Sequence, residues 1–143
     1  MARPIKKGID YFSFDVDFFE DTRIKKLRSR YKTLGLITYI FVLTKIYKEH
    51  GYYILIDEEQ VFDISDSLRE EFNAVKEIID YIISIKLLLK KEISQNIYFL
   101  TSERVQKTYQ ASVRLRGKKS PIKVKEQIWI LPEEETEDYI SII

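Results

Sequence analysis

Cysteine is absent from this chain of 143 residues, and histidine occurs once, as His50. Without cysteine there is no disulfide, no thiolate metal site and no thiol nucleophile. A single imidazole leaves little for a zinc site or for general-base catalysis, and a histidine beside Gly51 is typical of a helix end. We therefore predict no enzyme activity, no catalytic residue, no cofactor and no metal site.

Long apolar runs and phosphate-binding loops are also missing. No stretch reaches 18 consecutive apolar residues, and no basic-then-apolar leader with a small-residue cleavage site is present. The four glycines form no Gly-rich phosphate loop, which argues against an ATPase. These absences predict a cytoplasmic protein without a membrane partner.

The chain does contain enough apolar material for a core, and its charges are segregated along the sequence. Hydrophobic residues make up 45% and aromatic residues 13% of the chain, which fits one ordinary domain. Net charge is +1, yet residues 101–125 hold eight Lys/Arg against Glu103 alone, and residues 126–143 hold six acids and no base. This segregation predicts a polyanion-binding surface beside an acidic segment, unless the charges only solvate helix faces.

Hydrophobic periodicity divides the chain into helices and short strands. Asp21 is a predicted N-cap, and Gly35 marks the break between the first two helices. The predicted helices span Thr22–Leu34, Leu36–Glu49, Glu58–Leu68, Ala74 to about Ile85, and Glu103–Arg116, with Asn73 and Ser102 capping the last two and Gly117 ending the final one. The predicted strands span Tyr52–Ile56, Leu87–Ile93 and Ile97–Leu100, the last two forming a hairpin.

This order of elements indicates a particular fold class. A helix pair followed by a two-stranded hairpin, with an earlier strand able to join it, is the plan of a winged helix-turn-helix domain. We predict an α+β, mainly α fold with a small β-hairpin wing and an additional C-terminal helix, spanning residues 1–117. Residues 118–143 are predicted to be a basic-to-acidic tail or linker leading to further domains. Within it, Ile128–Leu131 suggests a strand or docking peptide, and the tail could instead fold back onto the basic helix.

Two stretches of the sequence resemble a known family. MARPIKKGIDYFSFDVDFFEDTRIKKLRSRYKTLGLITYIFVLTKIYKEHGYY and LLLKKEISQNIYFLTSERVQKTYQASVRLR closely resemble the N-terminal domain of phage- and mobile-element-encoded replication proteins. That family is similar in plan to the N-terminal domain of DnaD-like replisome organisers. The resemblance, over roughly residues 1–117, implies a winged-helix fold and a role in replication initiation. It also implies DNA and a helicase or helicase loader as partners, with a homo-oligomer as a further possibility.

The predicted recognition helix, from Ala74 to about Ile85, contains no Arg, so insertion into the major groove is not favoured. Phosphate contacts from basic tracts elsewhere are the better hypothesis. The predicted DNA-binding residues are Arg104, Lys107, Arg114, Arg116, Lys118, Lys119, Arg23, Lys26, Arg30 and Lys90. A short basic arm, Arg3, Lys6 and Lys7, could add to them. The alternative is an oligomerisation or protein-interaction module without direct DNA binding.

One stretch near the N-terminus, GIDYFSFDVDFFED at residues 8–21, combines five aromatic and five acidic side chains. Asp15 and Asp17 would share a face of an extended segment, a geometry that a divalent metal or a carboxylate-dependent nuclease could use. No histidine and no third carboxylate completes such a site. The segment is therefore predicted to fix the start of the fold, with its aromatic side chains as core or interface anchors.

Overall fold

The computed structural model describes residues 6–143, so Arg3 of the predicted basic arm lies outside the described residues. The helices are α1 (Thr22–Glu49), α2 (Glu58–Leu68), α3 (Phe72–Ser84), α4 (Glu103–Ser112) and α5 (Arg114–Lys119). The strands are β1 (Ile54–Ile56), β2 (Leu89–Ser94), β3 (Ile97–Thr101), β4 (Ile122–Val124) and β5 (Ile140–Ile142). Short 3-10 turns cover Phe18–Glu20 and Glu133–Glu135. The predicted α+β, mainly α class is confirmed.

The first two predicted helices form one continuous element with a kink. Asp21 caps it as predicted, because its carboxylate accepts a hydrogen bond of 2.8 Å from the Arg23 N–H. The predicted break at Gly35 is wrong: the kink lies at Lys32, whose φ of 57° and ψ of −144° are not helical. Gly35 stays inside the helix, where an added Cβ would lie 2.8 Å from the Cβ of Tyr31. The glycine therefore serves close packing, not helix termination.

A three-stranded antiparallel sheet lies beside α2 and α3. Its strand order is β1-β3-β2, with Ile54 opposite Leu100 and Leu89 opposite Thr101. The predicted hairpin is thus confirmed, and the earlier strand joins it along β3. The N-cap predicted at Asn73 is wrong, because α3 begins at Phe72 and has no side-chain cap. Helical spacing of Val75, Ile78, Ile79, Ile82 and Ile83 predicts an apolar stripe on α3; the first four are buried, and Ile83 is half-buried.

The turn between α2 and α3 depends on a left-handed residue. Arg69 has φ 56° and ψ 45°, and the following Glu70 N–H donates to the Ser65 carbonyl at 2.9 Å. Glycine favours this conformation because it has no Cβ to clash with the neighbouring carbonyl.

We expect Arg69→Gly to raise the free energy of unfolding by about 1 kcal/mol, since the left-handed conformation costs other residues about that much. Urea unfolding followed by circular dichroism measures the change. Glu70→Gly is the matched control, because Glu70 has no positive φ and should lose stability. Equal destabilisation by both variants would contradict this account.

Residues 118–143 pack against the C-terminal helices. The single helix predicted over Glu103–Arg116 is two helices meeting at Val113, and Ser102 caps the first through a 3.1 Å bond from the Val105 N–H. Gly117, predicted to end that helix, lies inside α5 against the ring of Tyr139. Strands β4 and β5 pair in parallel. The predicted tail thus folds back, and its Ile128–Leu131 stretch is not a strand.

The core contains side chains from both parts of the chain. Ile128 and Trp129 are buried in the same hydrophobic cluster as Tyr52 and Tyr109, and the Trp129 ring lies 5.8 Å from that of Tyr52. Two glutamines of α4, Gln106 and Gln110, bind the backbone of the segment that follows α5. In residues 6–143 no helix is long and apolar enough to cross a membrane.

His50 follows α1 and stacks on Tyr53, with ring centroids 4.4 Å apart. Burial lowers the pKa of its imidazole below the usual value, and nearby Lys7 and Lys125 lower it further. The unfolded chain therefore takes up this proton at a higher pH than the folded chain does. The neutral His50 side chain therefore contributes fully to stability above its pKa in the unfolded chain. This contribution is lost as the pH falls through its pKa in the folded chain.

We expect the free energy of unfolding to fall as the pH drops from about 7.5 through the unfolded histidine pKa of about 6.5 and on through the lower pKa of folded His50, the one histidine of the chain. Urea unfolding across this range measures the slope. His50→Gln should flatten it, and an unchanged slope in that variant would contradict the assignment.

Candidate nucleic-acid interface

The first half of α1 forms a dense cationic surface. Residues 22–32 hold six Lys/Arg side chains and no acid, and all six are exposed: Arg23, Lys25, Lys26, Arg28, Arg30 and Lys32. We call this set the α1 basic surface. Ile24 and Leu27 on the opposite face are buried, which fixes the orientation of the helix and turns the cations to solvent.

The six cations lie in two rows along the helix. Arg23, Lys26 and Arg30 recur at spacings of three and four, and this row borders α3. There the Arg23 guanidinium donates to the Lys86 carbonyl at 2.9 Å, and that of Arg30 lies 4.9 Å from the Tyr81 ring centroid. The second row, Lys25, Arg28 and Lys32, follows the other flank of the helix by the same spacing. The helix therefore presents cations over a broad face.

This charge pattern opposes the stability of α1. Lys26 and Arg30 are like charges four residues apart on the helix, and such pairs are unfavourable. Arg23 and Lys25 also lie in the first turn, at the positive end of the helix dipole, where acidic side chains are preferred. Within residues 6–143 the one ion pair of this surface joins Arg23 to Asp21 at 3.1 Å. The hydrogen bond from Arg23 holds the pKa of Asp21 below its usual value.

Two predicted DNA-binding residues of α4 are paired with acids. Arg104 lies 2.6 Å from Asp15, and Lys107 lies 3.5 Å from Glu135. The pKa of Asp15 is lowered by the Asp17 N–H hydrogen bond and then by the Arg104 guanidinium. These contacts pair both cations with acids, and they hold residues 8–21, which we call the aromatic segment, and the C-terminal residues against α4.

A third predicted DNA-binding residue, Arg116, clamps the N-terminal segment. Its guanidinium donates to the carbonyls of Lys6 and Gly8 at 2.8 and 2.7 Å. Each of these bonds joins positions more than a hundred residues apart in the sequence, so local spacing could not reveal them. The structure thus gives Arg116 a role in holding the fold.

The remaining predicted cations of the C-terminal region lie in mixed surroundings. Arg114, Lys118 and Lys119 are exposed on α5, beside an open groove of about 1120 Å³. Glu137 and Asp138 line the same groove, so acids moderate its positive potential. This surface is less cationic than the α1 basic surface.

Lys90 lies on β2, at a second groove between α3 and the hairpin. Its ammonium pairs with Glu92 at 3.1 Å and lies 5.4 Å from the Tyr98 ring centroid. Asp57, Glu58 and Asp80 share the lining of this groove. The predicted wing lysine therefore sits among acids.

Asp15, the carboxylate at the centre of the aromatic segment, has structural partners. Asp15 is held by Arg104 and the Asp17 N–H, while Phe18 is buried and Phe12 stacks on Tyr47 at 4.4 Å. Among the described residues, no group of three His, Asp or Glu side chains is placed to hold a metal ion. The segment acts as a brace between α1 and α4.

Comparison with known proteins defines the family. The model of the Lin1244/Lin1753-like N-terminal domain matches residues 11–105. This chain belongs to that family. It is also 30% identical over 118 residues to a phage-related protein, Lin1244/Lin1753, of Listeria innocua serovar 6a. The alignment covers 82% of this chain and 38% of that relative, so the chain spans less than two fifths of the relative's length. No solved structure matches the chain.

The Lin1244/Lin1753-like region includes the α1 basic surface, the sheet and the first turn of α4. The phage-related relative agrees with the predicted resemblance to phage proteins. The sequence prediction took the tract from Arg23 to Lys32 as a possible DNA-facing surface, but its site residues were Arg23, Lys26 and Arg30 and left out the second row. The spacing of Lys25, Arg28 and Lys32 was the signal that could have added it.

Proposed function

We propose that this chain is a winged-helix DNA-binding module of a phage-type replication initiation or replisome organiser protein, and that it contacts mainly the phosphate backbone. The order of its helices and strands and the β1-β3-β2 sheet support the winged-helix assignment. The phage-related relative supports the phage context. A helicase or helicase loader is the proposed protein partner, on the resemblance alone.

The α1 basic surface carries the proposal. The six exposed cations repel one another and so destabilise the helix. Binding of a polyanion would offset this cost, which explains why the sequence keeps them. Phosphates would relieve the repulsion, and release of condensed counterions would add affinity. Such contacts fix a protein on the duplex without reading its sequence.

The polar face of α3 supports backbone contact over base readout. Lys76 pairs with Asp80 at 3.3 Å, and Glu77 is exposed three residues before Asp80. Phosphates flanking the major groove would meet these acids on approach. We therefore propose that α3 does not enter the groove and that affinity varies little with sequence.

Two paired substitutions test the surface. Lys26→Gln with Arg30→Gln removes charge from one row, and Lys25→Gln with Arg28→Gln removes it from the other. Each pair should weaken binding to a duplex oligonucleotide by about tenfold at low salt and reduce the slope of log affinity against log salt by about 2. Fluorescence anisotropy at several salt concentrations measures both quantities.

Lys48→Gln with Lys123→Gln is the matched control. It removes the same charge from two exposed positions outside the α1 basic surface and should change the slope less. If the control weakens binding as much as the α1 pairs do, affinity follows net charge, and the α1 basic surface is not the interface.

A further inference from the structure

The groove between α3 and the hairpin, which we call the α3–hairpin groove, has an apolar floor. Its volume is about 620 Å³. Ile56, Val61, Ile79 and Tyr98 form buried parts of its lining, and Ile83 is half-buried at its side. The groove is therefore wide enough for one or two apolar side chains.

The rim of this groove is acidic. Asp57, Glu58, Asp80 and Glu92 face two lysines, Lys76 and Lys90. Both lysines are paired, with Asp80 at 3.3 Å and Glu92 at 3.1 Å. Phosphate is repelled by such a rim, whereas an apolar side chain flanked by cations fits both the floor and the rim.

An apolar side chain flanked by cations is present on α5 of the same chain. Leu115 is 75% exposed, and Arg114, Lys118 and Lys119 surround it on the helix surface. We call these four residues the α5 knob. The helix beneath it is fixed, because Gly117 packs on the Tyr139 ring and Arg116 is clamped to Lys6 and Gly8. An exposed leucine on a fixed base loses little entropy when it is buried by a partner.

We propose that the α3–hairpin groove binds the α5 knob of a second copy of this chain. Leu115 would fill the apolar floor, while its three flanking cations would meet the acidic rim. Groove and knob are different surfaces, so the contact is head-to-tail, and an open assembly of any length keeps one free groove at one end and one free knob at the other. The α1 basic surface belongs to neither, so the assembly would present it repeatedly and raise avidity for a long polyanion.

Sedimentation velocity of the whole chain without DNA tests the contact. We expect a series of species that grows with protein concentration and shrinks at about 1 M salt, where the charge attraction is screened. Leu115→Asp should weaken association by at least about tenfold, and so should Ser84→Arg, which places a cation at the groove. Both positions are exposed, so circular dichroism should show an unchanged fold.

Mixing the two variants gives the decisive result. Leu115→Asp keeps an intact groove and Ser84→Arg keeps an intact knob, so together they should form a 1:1 dimer that cannot extend. A mixture that stays monomeric would overturn the proposal. So would a wild-type chain that remains monomeric at all concentrations, or a Leu115→Asp chain that assembles like wild type.

Discussion

Deleting residues 122–143 is expected to abolish the cooperative unfolding of this chain. The deletion removes five buried side chains from the core, namely Val124, Ile128, Trp129, Leu131 and Ile140. Burial of one large apolar side chain contributes about 1.5–3 kcal/mol, so the loss is on the order of 10 kcal/mol. That is comparable with the whole stability of an ordinary domain.

The deletion would also leave buried polar groups without the hydrogen bonds that the C-terminal residues make to them. The Tyr52 hydroxyl accepts a hydrogen bond of 3.0 Å from the Lys125 N–H, and burial raises the pKa of this phenol to about 12. Gln106 would lose both of its backbone partners, at Ile128 and Ile130. Exposed apolar surface around Tyr109 would favour aggregation.

Thermal unfolding followed by circular dichroism tests this expectation. We expect the truncated chain to give a broad or absent transition and to bind a hydrophobic dye. Glu133→Ser with Glu134→Ser is the control, since both side chains are exposed in the deleted stretch and should leave the transition unchanged. A sharp transition in the truncated chain would show that residues 6–121 hold a complete core.

The second large effect is expected at Gln106. This side chain is fully buried, yet it has a partner for both of its polar atoms. Its Nε2 donates to the Ile128 carbonyl and to the Thr101 hydroxyl, each at 3.0 Å, and its Oε1 accepts from the Ile130 N–H at 2.8 Å. One glutamine thus joins β3, α4 and the C-terminal segment.

Gln106→Leu keeps most of the volume and removes all three hydrogen bonds. The carbonyl of Ile128 and the N–H of Ile130 then lack this partner, and each unsatisfied buried group costs about 1–3 kcal/mol. We expect the free energy of unfolding to fall by about 3–5 kcal/mol. Urea unfolding measures it, and Gln127→Leu at an exposed position is the control. A loss in Gln106→Leu no larger than in the control would contradict the role assigned to Gln106.

The sequence predicted those elements whose signal is local. Asp21 and Ser102 cap helices as expected because capping requires residues only two or three positions apart. The stripe of α3 and the hairpin follow from helical and alternating periodicity in the same way. Gly35 was misread because a glycine buried against Leu27 and Tyr31 resembles a helix stop when only the sequence is seen.

Long-range contacts explain what the sequence did not predict. The sequence prediction treated Arg104 and Arg116 as cations available to DNA. In the fold, Arg104 pairs with Asp15 and Arg116 donates to the Gly8 carbonyl. Gln106 and Gln110 of α4 are uncharged and follow no periodic pattern, so their hydrogen bonds to the backbone could not be predicted from the sequence. The α1 basic surface was recognisable because it is contiguous, and residues 22–32 contain no acid that could pair with it.

The salt dependence of duplex DNA binding by the unmodified chain tests the central proposal most directly. Four to six phosphate contacts from the α1 basic surface predict that log affinity falls linearly with log salt, with a slope of about −4 to −5. The slope should be the same for duplexes of unrelated sequence. Absence of binding at low salt, or an affinity that salt does not change, would contradict the account.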